Sequence, residues 1–362
     1  MILDTISILN FKNIHDQRLT LSERINCFVG DNGAGKTNIL DAVHYLSLAK
    51  SMHTIPDKQC VCHGEESFLV DGVFRHDDNR QEQVVCSYTN RGGKTLKRNG
   101  KEYDKLSDHV GHFPIVVVSP ADSALISDSA EERRRYFNRL ISQLDHAYMA
   151  ALIRYNIALQ ERNKLLKTNP SEEMLLIYDG MLSAAADIIY RRRCEIIEQI
   201  RPLVAHYYAT LSEEREEVDI EYRSELHTTP LAELLIASRR RDFFNEHTTS
   251  GVHRDDMVLT IGGHQLRKFG SQGQQKSFLI ALKLAEYTLL AKHTKNKPIL
   301  LLDDLFDKLD MRRVSQLLRL VDGEKFGQIL ITDCNKHRLQ RTLDEAGAEY
   351  RLFHISNGCS TQ

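Results

Sequence analysis

Apolar residues open the chain in short clusters at 6–9, 19–21 and 25–29, the length and spacing of strands, and these lead into a glycine-rich stretch beginning at Gly30. From Thr37 the period changes. Ile39, Leu40, Val43, Leu46 and Leu48 fall at helical spacing as far as Lys50, so strand, loop and helix follow one another. Residues 68–118 return to strand-like pieces at 68–74, 84–89 and the wholly apolar 115–118, and Asn99-Gly100 marks a hairpin turn among them.

At Ser129-Ala-Glu-Glu132, a capping-box pattern, the texture shifts to helix. Helical periodicity holds to about Asn245, broken near Asn169-Pro170 and by a strand-like stretch at 218–222. Strand character resumes at 257–261. A helix over 271–291, a buried strand at 299–302, a helix from Asp310 and a strand at 328–332 then complete an alternating α/β pattern. The expected organisation is one α/β lobe built from both chain ends, residues 1–128 and 249–362, with a helical lobe, 129–248, inserted between them. About 115 helical residues make a compact lobe or a short antiparallel arm, not a coiled coil of hundreds of residues.

A chain of 362 residues is long enough for two such lobes. Hydrophobic residues at 41% and charged residues at 27% belong to a folded soluble protein, and no apolar run reaches the roughly 18 to 20 residues of a bilayer span. The start, Met1-Ile-Leu-Asp-Thr-Ile-Ser-Ile, carries an early acid and no basic leader, so the expected location is cytoplasmic. Of seven cysteines only Cys60-Val-Cys62-His63 clusters, and without a second pair it reads as free thiols rather than a zinc site. A net charge of −2 excludes a uniformly basic DNA-coating protein and confines any nucleic-acid contact to local basic faces.

Chemistry enters with Gly30, Asp31, Asn32, Gly33, Ala34, Gly35, Lys36 and Thr37, a full match to G-x-x-x-x-G-K-[ST] lying between the strand that ends at Val29 and the helix from Thr37. Such a loop turns backbone amides toward phosphate oxygens, Lys36 reaches the β/γ-phosphates and Thr37 is a Mg²⁺ ligand, so the expected cofactors are ATP and Mg²⁺. The apolar strand 299–302 ends abruptly in Asp303 and Asp304. Buried strands do not end in two carboxylates without a reason. Asp303 is expected as the Mg²⁺ partner and Asp304 as the general base that polarises water.

Phe269-Gly-Ser271-Gln272-Gly273-Gln274 opens the helix over 271–291. Ser271-x-x-Gln274 is a capping box in its own right, and a serine and glycine at an open helix N-terminus also form an anion site. The order of loop, long insertion, Ser-x-Gly-Gln and acidic strand is that of ABC-type ATPases.

With Ser119-Pro-Ala-Asp122, Glu132-Arg-Arg-Arg135, Ser250-Gly-Val-His-Arg-Asp-Asp256, Ser271-Gln-Gly-Gln-Gln-Lys-Ser277 and Asp303-Asp-Leu-Phe-Asp-Lys-Leu-Asp310, the chain resembles the RecF family over nearly its whole length. The resemblance implies a Rad50-like head, a helical second lobe and slow ATP hydrolysis coupled to a homodimer. It further implies single-stranded and gapped DNA with RecO- and RecR-like repair proteins as partners, in recombinase loading, DNA replication and the SOS response.

Carried over by position, Lys12 and Asn13 match the family's Phe-Arg-Asn near the adenine, with Lys12 in place of arginine. Ser271, Gln272 and Gly273 match the signature that touches the γ-phosphate of the other protomer, and Asp310 matches the dimer-interface acid. Two departures are Val252, where the family carries proline, and Thr332-Asp333-Cys334, which has no switch histidine. His253 and Arg254 read as a hydrogen-bonded turn or as catalytic groups. Arg133–Arg135, Arg191–Arg193 and Arg239–Arg241 read as solvated helix faces or as phosphate contacts. Two rival functions are the nucleotide-binding subunit of an ABC transporter and a structural ATPase of the SMC kind. Asp304 in place of glutamate and the missing histidine argue against the first, and the short insertion against the second.

Overall fold

The structure, a computed structural model, describes residues 1–53, 55–168, 170–212, 216–304, 311–321, 323 and 325–361. Its first segment runs β1 (Ile2–Phe11), β2 (Ile14–Thr20), β3 (Ile25–Val29), α1 (Lys36–Leu48), β4 (Ser67–Arg75), β5 (Gln81–Thr89), β6 (Gly93–Arg98), β7 (Lys101–Glu102) and β8 (Ile115–Val118). Next come α2 (Ala124–Ser127), α3 (Ala130–Leu144), α4 (His146–Leu166), α5 (Glu172–Ser212), β9 (Val218–Arg223), α6 (Leu231–Asn245), β10 (Asp256–Ile261), β11 (His264–Gln265) and α7 (Leu266–Phe269). α8 (Gln272–His293), β12 (Ile299–Leu302), α9 (Met311–Val321), β13 (Ile329–Asp333), α10 (Lys336–Ala346), β14 (Tyr350–Ser356) and β15 (Cys359–Thr361) close the chain.

Two units form: Met1–Asp122 with Lys283–Gln362, and Ser123–Leu282. The first holds an antiparallel sheet ordered β2-β1-β4-β5-β6-β7 and a second sheet ordered β15-β14-β3-β13-β12-β8, parallel except at β15. β3 and β12 are buried at every position, as strands covered on both faces must be. Register sets Val29 beside Asp333 and Leu302 beside Ile331, so the carboxyl ends of β3, β13 and β12 finish together. Ligands of open parallel sheets sit in the crevice outside such ends.

α1 packs against β1, β4, β5 of one sheet and β13 of the other, and it is buried throughout except at Thr37 and Asn38 in its first turn. A helix buried on nearly every side belongs to the core, and the polar side chains that it takes there, Asp41, His44 and Ser47, are hydrogen-bonded. Gly72 of β4 allows its close approach, since a Cβ there would lie 2.4 Å from Leu46 Cδ1. Phe11, Tyr45 and Phe68 meet edge to face at 5.1–5.4 Å between centroids and close this core. Asn99 and Gly100, both at positive φ, make the hairpin turn between β6 and β7.

The second unit pairs α4 with α5, a 41-residue helix of about 60 Å. Its polar core is built on two fully buried arginines. Arg162 bonds Asp179 (2.7 Å), Asp242 (2.8 Å) and Thr248 (2.8 Å), and Arg193 bonds Asp255 (2.7 Å) and the Val252 carbonyl (2.7 Å). The division between units differs from the sequence expectation on both sides, by residues 123–128 before the helical unit and, more widely, by residues 249–282 after it. Residues 249–282 group with the helical unit because β10 pairs along its whole length with β9, from Asp256–Arg223 to Ile261–Val218. That pairing spans a helix and leaves no mark in local periodicity.

Candidate nucleotide-binding site

The glycine-rich loop leaves β3 through backbone conformations that only glycine adopts easily. Gly30 sits at φ +157° with the Ile355 carbonyl where a Cβ would be, and Gly35 at φ +108° serves as the N-cap of α1. Lys36 is buried, and its Nζ donates to the carbonyls of Gly30 and Asp31, each at 2.8 Å. Asn13 braces the loop from outside: Nδ2 donates to the Gly33 carbonyl at 3.1 Å and Oδ1 accepts from Asn38 Nδ2 at 2.7 Å.

β12 delivers Asp303 to the mouth of this loop. Thr37 Oγ1 donates to Asp303 Oδ1 at 2.8 Å, and Thr332 Oγ1 at the end of β13 donates to the same oxygen at 2.7 Å. Asp304 follows at φ +47°, its backbone N–H donating to Thr332 Oγ1 at 2.9 Å. A cavity of about 180 Å³ opens between Gly35, Lys36, Thr37 and Asn38 on one side and Asp304 and Thr332 on the other. Loop, first turn of α1 and both strand-end acids thus meet in one place. A hydroxyl and a carboxylate oxygen are hard donors of the kind Mg²⁺ takes, and Mg²⁺ sites use one or two protein ligands with phosphates and water supplying the rest. The residues present fit ATP with Mg²⁺.

Lys12 does not project freely. Its ammonium pairs with Asp41 Oδ2 at 2.7 Å, while Asp41 also accepts from Ser51 Oγ (2.7 Å) and from the Met52 N–H (2.6 Å). Next along that segment, His53 donates its N–H to Ser51 Oγ. Burial holds the His53 imidazole below its ordinary pKa, with Lys12 acting in the same direction and Asp41 and Asp303 opposing. Neither His53 nor Asp41 stands out in the sequence. Thr332 could have been found by reading one residue past the register of β12, where Asp303 comes level with it.

In the second unit, Ser271 and Gln274 form the reciprocal capping box: the Ser271 N–H donates to Gln274 Oε1 at 2.6 Å and the Gln274 N–H to Ser271 Oγ at 3.3 Å. Ser271 and Gln272 are exposed and Gly273 is half-buried. Asp310 lies outside the described residues. His253 is a structural group. Its Nε2–H donates to the Thr248 carbonyl at 3.0 Å, which leaves Nδ1 to accept from Tyr155 O–H at 2.7 Å, and burial lowers its pKa to about 4.

The arginine runs are mostly consumed inside the fold. Arg133 makes a two-pronged contact with Asp256, Arg134 bonds the Asp255 carbonyl and Arg135 pairs with Glu131 and Glu132. Arg192 pairs with Asp145 and Arg193 is buried. Arg239 pairs with Glu172 and Asp179, and Arg241 bonds Thr249 and Ser250. These residues are therefore not the open phosphate-contacting rows that their spacing allows, because three successive helix positions point in three directions and tertiary partners occupy most of them. Exposed Arg240 is the exception in its run, with no hydrogen bond or ion pair among the described residues.

Residues 2–361 match the RecF/RecN/SMC N terminal domain. The chain is 43% identical over 360 residues to the DNA replication and repair protein RecF of Bacteroides thetaiotaomicron, covering 99% of this chain and 98% of that protein. The corresponding protein of Parabacteroides distasonis is 45% identical over 359 residues, with coverage of 99% and 98%. Among solved structures, that of the recombination mediator protein RecF-ATPrS in the RecFOR pathway superposes with a TM-score of 0.90 at 30% identity, covering 99% of this chain and 97% of the other. An Smc head bound to the C-terminal winged-helix domain of ScpA superposes at 0.59 with 15% identity, a likeness of fold alone.

Proposed function

The chain belongs to the RecF family, and on that premise we propose that it is an ATP-dependent DNA-binding protein of recombinational repair. The observation that carries this reading is the meeting of Thr37 with Asp303 at the mouth of the glycine-rich loop, in a chain that matches RecF proteins from end to end. Thr37 Oγ1 and Asp303 would hold Mg²⁺, which when bound supplies charge neutralisation at the β- and γ-phosphates. Lys36 exchanges the Gly30 and Asp31 carbonyls for phosphate oxygens, and the loop amides and the N-terminus of α1 hold the phosphate chain. Lys12 and Asn13 act beside the loop, the first through Asp41 and the second on the Gly33 carbonyl. Asp304 takes the proton of the attacking water.

Hydrolysis in this reading is slow and serves as a switch. ATP joins two copies, with Ser271, Gln272 and Gly273 of one copy facing the nucleotide of the other, and the dimer binds single-stranded and gapped DNA. RecO- and RecR-like proteins are the partners in loading recombinase, during replication-linked repair and the SOS response in the cytoplasm. Among the described residues no helix is long and apolar enough to cross a membrane. The test is binding to gapped DNA with and without ATP·Mg²⁺ across a salt series, beside Asp304→Asn. ATP tightens binding, log affinity falls with log salt at about −0.9 per duplex phosphate contact, and Asp304→Asn binds ATP but hydrolyses it more slowly. Salt-independent binding indifferent to ATP would reject the reading.

A further inference from the structure

We infer that Thr332 is a positioning residue of the hydrolytic site: its hydroxyl, lodged between the two strand-end acids, fixes the carboxylate of Asp303 and the backbone of Asp304 together. The inference rests on the nucleotide-site reading above and extends it to a neighbouring strand. Thr332 closes β13 in a segment, Thr332-Asp333-Cys334, that carries no histidine, and only 1% of its surface is exposed although it lines the cavity.

The direction of each hydrogen bond is settled by chemistry. A backbone N–H can only donate and a carboxylate can only accept. Hence the Asp304 N–H gives its proton to Thr332 Oγ1, and the single hydroxyl proton of Thr332 goes to Asp303 Oδ1. Thr37 Oγ1 gives its proton to that same oxygen, so its lone pairs are left for the cavity side. Both bonds fall on Oδ1, and Asp303 Oδ2 accepts none among the described residues. One carboxylate oxygen is therefore held by two hydroxyls while the other stays available to a cation.

Asp304 stands at φ +47°, in the left-handed region that aspartate enters more readily than most residues but less readily than glycine, so restraints on its backbone help to hold it there. The bond from its N–H to Thr332 Oγ1 is one such restraint. It sets where the Asp304 side chain departs from the strand end, and so where a base at that position points. Valine has nearly the shape of threonine but neither donates nor accepts, and would release both acids at once. Serine retains the hydroxyl.

Three quantities are measured on Thr332→Val and Thr332→Ser. They are turnover at saturating ATP·Mg²⁺, the Mg²⁺ concentration for half-maximal binding of a fluorescent ATP analogue, and the melting temperature without nucleotide. Thr332→Val is expected to lose at least tenfold in turnover and to need severalfold more Mg²⁺, and Thr332→Ser to recover both to within about threefold of wild type. A purely structural hydroxyl would lower the melting temperature and leave turnover and Mg²⁺ requirement of the folded protein unchanged, and that result overturns the inference alone. Absence of hydrolysis in the wild type would instead overturn the site reading beneath it. If Thr332→Val does not fold, Thr332→Cys, with a thiol that bonds weakly, takes its place. Equal turnover of the cysteine and serine variants would then reject the positioning role.

Discussion

Thr37 and Asp303 stand 266 positions apart in the chain, and the hydroxyl of the first donates to the carboxylate of the second at 2.8 Å. The contact exists because β3 and β12 flank β13 in one parallel sheet and end at the same level. Asp303→Asn removes the charge that a cation would meet there while keeping size. Mg²⁺-dependent binding of a fluorescent ATP analogue should weaken about tenfold or more, which corresponds to roughly 1.4 kcal/mol, with binding in the presence of a chelator little changed.

Lys36 already shows in this structure what it seeks, two oxygen acceptors at 2.8 Å. Hydrogen bonds to charged groups contribute roughly 1.5–3 kcal/mol each, so the loss of two in Lys36→Ala should weaken ATP affinity by about a hundredfold or more. Isothermal titration on a folded variant measures this directly, and an unchanged affinity would remove Lys36 from the phosphate site.

Arg193 and Asp255 form a buried pair whose loss is a matter of stability rather than nucleic-acid binding. Arg193→Met leaves Asp255 without its cation in the core, at a cost of about 3–5 kcal/mol. Arg240→Ala, on the same unit but exposed, should stay within about 0.5 kcal/mol of wild type. Thermal or urea melts of the two variants separate buried from open arginines.

Stability should fall on mild acidification. Burial lowers the pKa of His109 and of His253 to about 4, below the ordinary imidazole value of 6.5. In both, the unfolded chain binds the proton more readily than the folded one. Their contribution is therefore fully present above pH 6.5 and is lost as pH falls toward 4, by up to about 1.4 kcal/mol per pH unit for each. Chemical denaturation from pH 7.5 to 5 should show this slope, and His253→Gln should flatten it by the share of one imidazole.

Much of the site is legible in the amino-acid sequence. Glycines at Gly30 and Gly35 with Lys36 and Thr37 have one common purpose when strand and helix lie on the right sides, and an apolar strand ending in Asp303-Asp304 is costly without a ligand. Thr332 is not legible as a site residue, since a lone threonine at a strand end is ordinary and its meaning depends on register with β12. Lys12 reads as a cation near a base until Asp41, on the buried helix α1, is seen to pair with it. The arginine runs mislead for a related reason: spacing gives the directions of side chains but not which directions the partners Asp256, Asp255 and Asp179 will fill. The unit boundary within α8 escapes because a helix that passes between units keeps its period throughout.

The most direct test of the account is sedimentation velocity of the purified chain with and without ATP·Mg²⁺, beside Ser271→Arg. A nucleotide-driven switch predicts a monomer that becomes a dimer on adding ATP·Mg²⁺, and a Ser271→Arg variant that still binds ATP yet stays monomeric, since a bulky cation at the capping serine obstructs the facing copy. Identical sedimentation of the wild type in the presence and absence of ATP·Mg²⁺, at concentrations where nucleotide binding is saturated, would contradict it.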